Sequence, residues 1–400
     1  MVSHAGMAGG DSFAPALGYP PAPMIKYIGS KRALAPLLER VAQRLPVRSV
    51  CDLFAGTTRA GQAFRRGGCR VVSNDLATYS EAFGQAYIAA DDRLDRAALG
   101  RHLDRLGALP GAPGYVADVF CGQARYFSPE NGARIDAIRG AIDGIPADEP
   151  MRGALLTSLL EAADRVDSTC GLQMAYLKRP APRSLRPLEL RPPDPVPGPA
   201  GAVARMDARD LAASLDGVDA AYIDPPYNQH SYFANYHVWE TIIRGDRPEA
   251  YGVARKRVDC RAVRSPFNSS RVAWDALEAL VGALTTPWVI LSVNDEGFHE
   301  PAHVAELLAG RGHVAALAID VPRYVGARIG IHNPAGERVG RVSHVRATEW
   351  LMVCGPDRAA VMRAFDGATP RPPRRRAASA AARAGSGRPA RHSPRCRPGS

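Results

Sequence analysis

Asp224-Pro225-Pro226-Tyr227 follows the apolar run Ala220-Ala221-Tyr222-Ile223, and no other stretch of the chain has residue types so clearly suited to a reaction. A short apolar run predicts a buried strand, which puts the Asp224 carboxylate at the carboxyl edge of a sheet. Each proline removes a backbone N–H and leaves its carbonyl, so hydrogen-bond acceptors crowd that edge. An exocyclic NH2 lying between the Asp224 carboxylate and the Pro225 carbonyl donates both hydrogens and turns its lone pair toward an electrophile, while Tyr227 offers a face for stacking on a base. The chemistry that fits is methyl transfer onto a nucleobase. A buried strand running into a proline-rich turn would show the same four residues, so the elements that face Asp224 must decide.

Two such elements lie upstream. Val50 to Phe54 reads as a strand entering the turn Ala55-Gly56-Thr57-Thr58, with a helix expected over 59–66. Gly56 lets the backbone pass close to a ligand, the helix start presents free N–H groups, and Asp52 is placed to engage a polar or cationic group of a nucleotide-like cofactor. A second strand over 70–74 ends at Asp75, where an acidic side chain accepts hydrogen bonds from two ribose hydroxyls. A dinucleotide would suit this unit equally. Before it, Lys26-Tyr27-Ile28-Gly29-Ser30-Lys31-Arg32 leads into a helix expected over 33–45. Lys31 or that helix start suits the methionine carboxylate of S-adenosylmethionine, and Tyr27 could pack on the cofactor.

Taken together and in order, Lys26 to Lys31, Asp52 to Gly56, Asp75 and Asp224 to Tyr227 resemble the adenine-specific DNA methyltransferases of the Dam-like, alpha-ordered kind, over residues 24–355 or so. The resemblance implies an α/β fold: a doubly wound, Rossmann-like S-adenosylmethionine-dependent methyltransferase sheet with an inserted, mainly helical target-recognition subdomain. It implies transfer of a methyl group from S-adenosyl-L-methionine to N6 of adenine in double-stranded DNA, in restriction-modification or DNA marking. Position by position, Asp224, Pro225, Pro226 and Tyr227 would hold the target adenine, and Tyr27, Lys31, Asp52, Gly56, Asp75 and Asp224 would line the cofactor, with Asp207 a further candidate for its adenine. The chain departs from many relatives at Thr57-Thr58, where they carry another glycine. In cytosine N4 enzymes a serine more often opens the tetrapeptide and in protein-glutamine methylation an asparagine does, so Asp224 favours adenine. Ribosomal-RNA guanine methyltransferases share Asp-Pro-Pro-Tyr, and methylation of RNA stays open beside a DNA-binding protein on the same fold without turnover.

These motifs divide the chain into a loose N-terminal segment (1–23), a cofactor half (24–91), a target-recognition insertion with a proline-rich connector (92–200), a second catalytic half (201–360) and an Arg-rich tail (367–400). The connector carries Arg179 and Arg183, and a hairpin expected around Asn333-Pro334-Ala335-Gly336 carries Arg323, Arg328, Arg338 and Arg341; both are candidates for contact with DNA, and solvated loops would look the same. Tyr232 and Tyr236, four apart, would share one helical face and could line a flipped-base pocket or simply belong to the core. Further strands are expected over 288–293, 315–320 and 349–353.

Net charge is +11, but nine arginines and no acidic residue fall between 367 and 400, and removing those nine from 51 leaves 42 basic against 40 acidic residues. The tail is therefore expected to be disordered and able to touch phosphates without reading sequence. Seven cysteines without a Cys-x-x-Cys pair argue against both a zinc site and a disulfide framework, and His230 and His237 read as local hydrogen bonders, so no metal is expected. A reducing cytoplasm fits, with no secretory signal and no membrane span. A restriction endonuclease is a possible partner.

Overall fold

The computed structural model describes residues 25–322, 331–332, 338–340 and 346–368, with 331–332 and 338–340 as backbone only. The expected loose segment 1–23, all but the first two residues of the expected tail, and Arg323, Arg328 and Arg341 lie outside the described residues.

From the N-terminal loop the chain enters a 3-10 turn (Lys31–Ala33) and helix α1 (Ala35–Arg44). The single helix expected over 33–45 is thus broken near its start, where Pro36 supplies no N–H to the first turn. Then come β1 (Ser49–Asp52), α2 (Arg59–Arg66), β2 (Arg70–Asn74) and α3 (Thr78–Gly84). A helical insertion follows, with α4 (Arg96–Gly107), α5 (Pro129–Asp143) and α6 (Glu149–Arg165). Asp95, Ser128 and Asp148 cap these helices by accepting the N–H of Ala98, Asn131 and Met151, and two of the three have proline in the first turn.

The sheet resumes with β3 (Ala202–Ala204), α7 (Ala208–Ala212) and β4 (Ala220–Ile223). After the tetrapeptide come α8 (Tyr232–Asn235), α9 (His237–Arg244), the short pair β5 (Ala250–Tyr251) and β6 (Lys256–Arg257), and α10 (Ala273–Ala283). The chain closes with β7 (Trp288–Asn294), α11 (Pro301–Ala309), β8 (His313–Pro322), β9 (Ile331–His332), β10 (Arg338–Gly340), β11 (Arg346–Gly355) and α12 (Arg358–Arg363).

Seven strands form one sheet in the order β3-β2-β1-β4-β7-β11-β8, in which β1, β2, β3, β4 and β7 pair in parallel and β11 runs antiparallel between β7 and β8. Both faces are covered, which is why β4 is apolar throughout and β1 and β7 are mostly so. Val50, Ala220, Tyr222 and Ile290 turn to the face under α1, α2 and α12, while Cys51, Ala221, Ile223 and Leu291 turn to the face under α7, α10 and α11. This is the doubly wound, Rossmann-like arrangement expected from the sequence.

The insertion joins β2 to β3. Its apolar residues, such as Leu103, Ile138 and Leu159, share one core with Tyr79 and Phe83 of α3 and with Tyr236 and Trp239 around α9. The backbone of β9 pairs with β10 through Arg338 and His332, across the turn in which a hairpin is expected.

Candidate active site

The chain winds outward from β1 through β2 and β3, then crosses back to place β4 on the other side of β1. Such a reversal leaves a crevice at the carboxyl ends of the two strands. Here it is an open cleft of about 560 Å³, lined by Tyr27, Lys31, Gly56, Asp75, Asp224 and Tyr232 among others. The loop before α1, the turn after β1 and the residues after β4 all contribute to its lining.

On the β4 side, Asp224 Oδ1 lies 2.7 Å from Lys31 Nζ and accepts the Ser292 hydroxyl at 3.0 Å. Lys31 Nζ is also 3.0 Å from Glu349 Oε1, and Asn294 Nδ2 donates to the other Glu349 oxygen at 3.2 Å. Burial disfavours the Lys31 ammonium, but the two carboxylates outweigh it and hold its pKa well above the ordinary lysine value. Burial pushes the Asp224 carboxyl up, and the Lys31 charge only partly opposes this. Lys31 and Ser292 both meet Oδ1 of Asp224, and Oδ2 has no hydrogen-bond partner among the described residues.

On the β1 side the backbone turns through Gly56 at φ +52°, and a Cβ there would sit 2.9 Å from Tyr27 Oη. The Gly56 N–H donates to Asp75 Oδ2 at 2.9 Å, and Asp75 Oδ1 accepts the Ala77 N–H at 3.0 Å. Asp52 is fully buried; its Oδ2 accepts from the Gly61 N–H at 3.1 Å, its Oδ1 has no protein partner, and burial next to Asp224 and Asp75 pushes its pKa up to about 8.

Thr58, the second residue of the Thr57-Thr58 pair, takes the left-handed conformation, φ +60° and ψ +16°. A β-branched residue is an outlier there, at a cost of roughly 1–2 kcal/mol. Gln62 Nε2 donates to the Thr58 hydroxyl at 3.0 Å and partly offsets that strain. Thr58→Gly is expected to stay within about 1 kcal/mol of the wild type, whereas Thr58→Val, which keeps the branch and strands the buried amide, should lose about 1–3 kcal/mol in urea unfolding. Equal stabilities of the two variants would contradict the strain.

The N-terminal loop is clamped from two directions. Tyr27 stacks on Tyr236 with centroids 4.5 Å apart, Tyr236 stacks on Trp239 at 4.7 Å, and the Ile28 N–H donates to Tyr236 Oη at 2.6 Å. Lys26 Nζ reaches Asp164 and Asp167 at the end of α6, 3.1 and 3.2 Å away.

Residues 27–270 match the family model of the D12 class N6 adenine-specific DNA methyltransferase. The chain is 32% identical over 314 residues to the Type II methyltransferase M.NlaIII of Neisseria lactamica, covering 75% of this chain and 92% of that protein. The chain belongs to the D12 class N6 adenine-specific DNA methyltransferases. Modification methylase StsI of Streptococcus sanguinis is 29% identical over 302 residues, and Type II methyltransferase M.FokI of Planomicrobium okeanokoites 27% over 315, with 71% and 72% of this chain but only 46% and 47% of those proteins covered.

In this methyltransferase the cleft gathers Tyr27, Lys31, Gly56, Asp75, Asp224 and Pro226 from the residues singled out in the sequence. Asp52 lies beneath it, held by α2. Others go elsewhere. Asp207 does not line the cleft: it caps α7 and its carboxylate is taken by the Arg209 guanidinium at 3.0 Å. Arg183 is not a free cation for DNA, since it pairs with the buried Asp167 at 2.8 Å; Arg179 is exposed. Tyr232 and Tyr236 do not share a helical face over the cleft, because the helix breaks at Tyr236 (φ −124°, ψ +30°); only Tyr232 lines it, and Tyr236 is core. His237 Nε2 meets the Gln173 carbonyl oxygen at 2.8 Å, and burial drives its pKa down to about 3.

Sequence reasoning missed Ser292, Asn294 and Glu349. The signal for Glu349 was a carboxylate leading directly into the apolar run Trp350 to Cys354; in the sheet it pairs in register with Asn294 of β7.

Proposed function

We propose that this methyltransferase takes the methyl group from S-adenosylmethionine, delivers it to N6 of an adenine extruded from duplex DNA at a defined sequence, and works in the cytoplasm as the modification partner of a restriction endonuclease. The observation that carries the reading is the facing of Asp224 and the Gly56–Asp75 turn across one cleft at the sheet's switch point. The residues suit the cofactor: Gly56 leaves backbone room beside Tyr27, Asp75 presents a carboxylate to a ribose, and the orphaned Asp52 Oδ1 awaits a donor beneath the turn. When bound, S-adenosylmethionine supplies a methyl group on a positively charged sulfur that an amine lone pair displaces.

The chain's own part is positional. An adenine amine entering the cleft meets an Asp224 carboxylate whose Oδ1 is held by Lys31 Nζ, itself also paired with Glu349. Asp224 and the Pro225 carbonyl then take the two amine hydrogens, Tyr227 stacks on the ring, and the lone pair is left pointing across the cleft. The methylated nitrogen must shed a proton, and Asp224, whose proton affinity burial raises, is the base in contact with it. Ser292 fixes the carboxylate's rotation.

The test is to express only this chain in a host free of adenine methylation and sequence the host DNA for modified bases. N6-methyladenine at one recurring sequence is expected. Its absence, with labelled methyl entering RNA and not duplex DNA in vitro, would overturn the reading.

A further inference from the structure

Residues 244–271 follow the tetrapeptide and α8, and sequence reading gave them no role. They hold eight cations and only three carboxylates, Asp246, Glu249 and Asp259. The structure removes two of those three. Arg257, buried, grips Asp246 through both guanidinium ends at 2.6 and 2.7 Å and also reaches Asp259 at 3.0 Å, while Arg244 takes Asp259 at 3.2 Å. What remains is unbalanced. Arg247, Arg255, Lys256, Arg261, Arg264 and Arg271 have no carboxylate partner among the described residues, and each is exposed or half-buried. Arg261 instead lies over the Tyr251 ring, 4.1 Å from its centroid, which holds the guanidinium in a fixed place without neutralising it.

The scaffold under these cations is rigid and continuous with the cleft. The segment around β5 and β6 rests on the insertion, since Tyr115 Oη donates to the Pro248 carbonyl at 2.6 Å and Tyr126 Oη lies 2.9 Å from the Ala254 carbonyl oxygen. At the other end Asn268 Nδ2 donates to the carbonyls of Asn228 and His230, just after the tetrapeptide, at 2.8 and 3.0 Å. Phe267 packs edge-on against Phe54 of the cleft lining, centroids 5.2 Å apart. A band with a large excess of positive charge thus runs from the insertion to the lip of the active site.

We propose that this band, residues 247–271, is the surface that grips the phosphates of the duplex beside the target adenine, in place of the connector arginine Arg183, whose charge is consumed internally. The inference rests on the DNA-methylating reading above. Asp246 and Asp259, which would repel phosphate, are neutralised by Arg257 and Arg244, so six cations face outward against the single exposed carboxylate of Glu249.

The test compares two variants of the full chain, each lacking three positive charges. One is Arg255→Gln/Lys256→Gln/Arg264→Gln in the band. The other is Arg40→Gln/Arg358→Gln/Arg363→Gln, exposed positions on α1 and α12 over one face of the sheet. Fluorescence anisotropy with a labelled adenine-containing duplex over a sodium chloride series reads affinity and its salt slope. The band variant is expected to weaken binding about 10- to 100-fold near 0.1 M salt and to flatten the slope of log Kd against log salt by about two to three. Its S-adenosylmethionine affinity and its methylation rate at saturating DNA should match the wild type. An unchanged slope, or an equal loss in the α1/α12 variant, overturns the surface while a DNA-methylating wild type leaves the function standing. A wild type that methylates no DNA would instead bring down the function.

Discussion

Asp224→Ala is expected to lower methyl transfer to duplex DNA by about a thousandfold or more while the protein stays folded. Removing the carboxylate takes away one of the two acceptors that orient the amine and the group that receives its proton, and groups acting only near the transition state cost about 10²–10³ each when lost. The fold tolerates the change because Lys31 keeps Glu349 at 3.0 Å and so is not left as a buried charge without a partner. Asp224→Asn separates shape from charge: it fills the same space but points an NH2 donor at the substrate's own donor, so it should be nearly as inactive. Labelled methyl transfer at saturating cofactor, with a thermal melt on the same samples, measures both. Activity within tenfold of the wild type in either variant would remove Asp224 from the reaction.

Gly56→Ala should weaken S-adenosylmethionine binding by about 30-fold or more. Its φ of +52° costs a side chain roughly 1–2 kcal/mol, and the new Cβ would press on Tyr27 at 2.9–3.2 Å. Tyr27 has nowhere cheap to go, since its other side is stacked on Tyr236 and, through it, on Trp239. Strain and displacement together exceed 2 kcal/mol or so, at 1.4 kcal/mol per decade of affinity. Calorimetric titration of the cofactor reads this directly. Unchanged affinity would mean that the turn does not hold the cofactor.

The central strands were legible because each is an apolar run bounded by turn residues: 70–74 and 288–293 reappear as β2 and β7 within a residue. The pairing of Asp224 with the Gly56–Asp75 turn was legible for the same reason, since two parallel strands that end in acidic residues bring those ends to one edge. Partners supplied by burial were not. Arg183 looks free in a proline-rich connector, and only the packing of α6 shows that Asp167 beneath it is nearly sealed from water. Glu349 sits far downstream, and the antiparallel placement of β11 between β7 and β8 brings it to Lys31. The uneven charge of 247–271 was hidden for a like reason: Asp246 and Asp259 count as neutralising in a sequence and point at Arg257 in the fold.

The core shared by the helical insertion with α3 and α9 has a bearing on how such proteins can diversify. A segment that packed only upon itself could be exchanged between relatives as a cassette, carrying its sequence preference with it. Here Tyr79, Phe83 and Trp239 belong to the same packed unit as Leu103, Ile138 and Leu159, and Lys26 is tied to Asp164. A working chimera must therefore inherit the loop around 26, the helices flanking 78–89 and those of 232–244 along with the insertion. Divergence by descent is channelled toward substitutions on the exposed face of the unit and away from wholesale swaps.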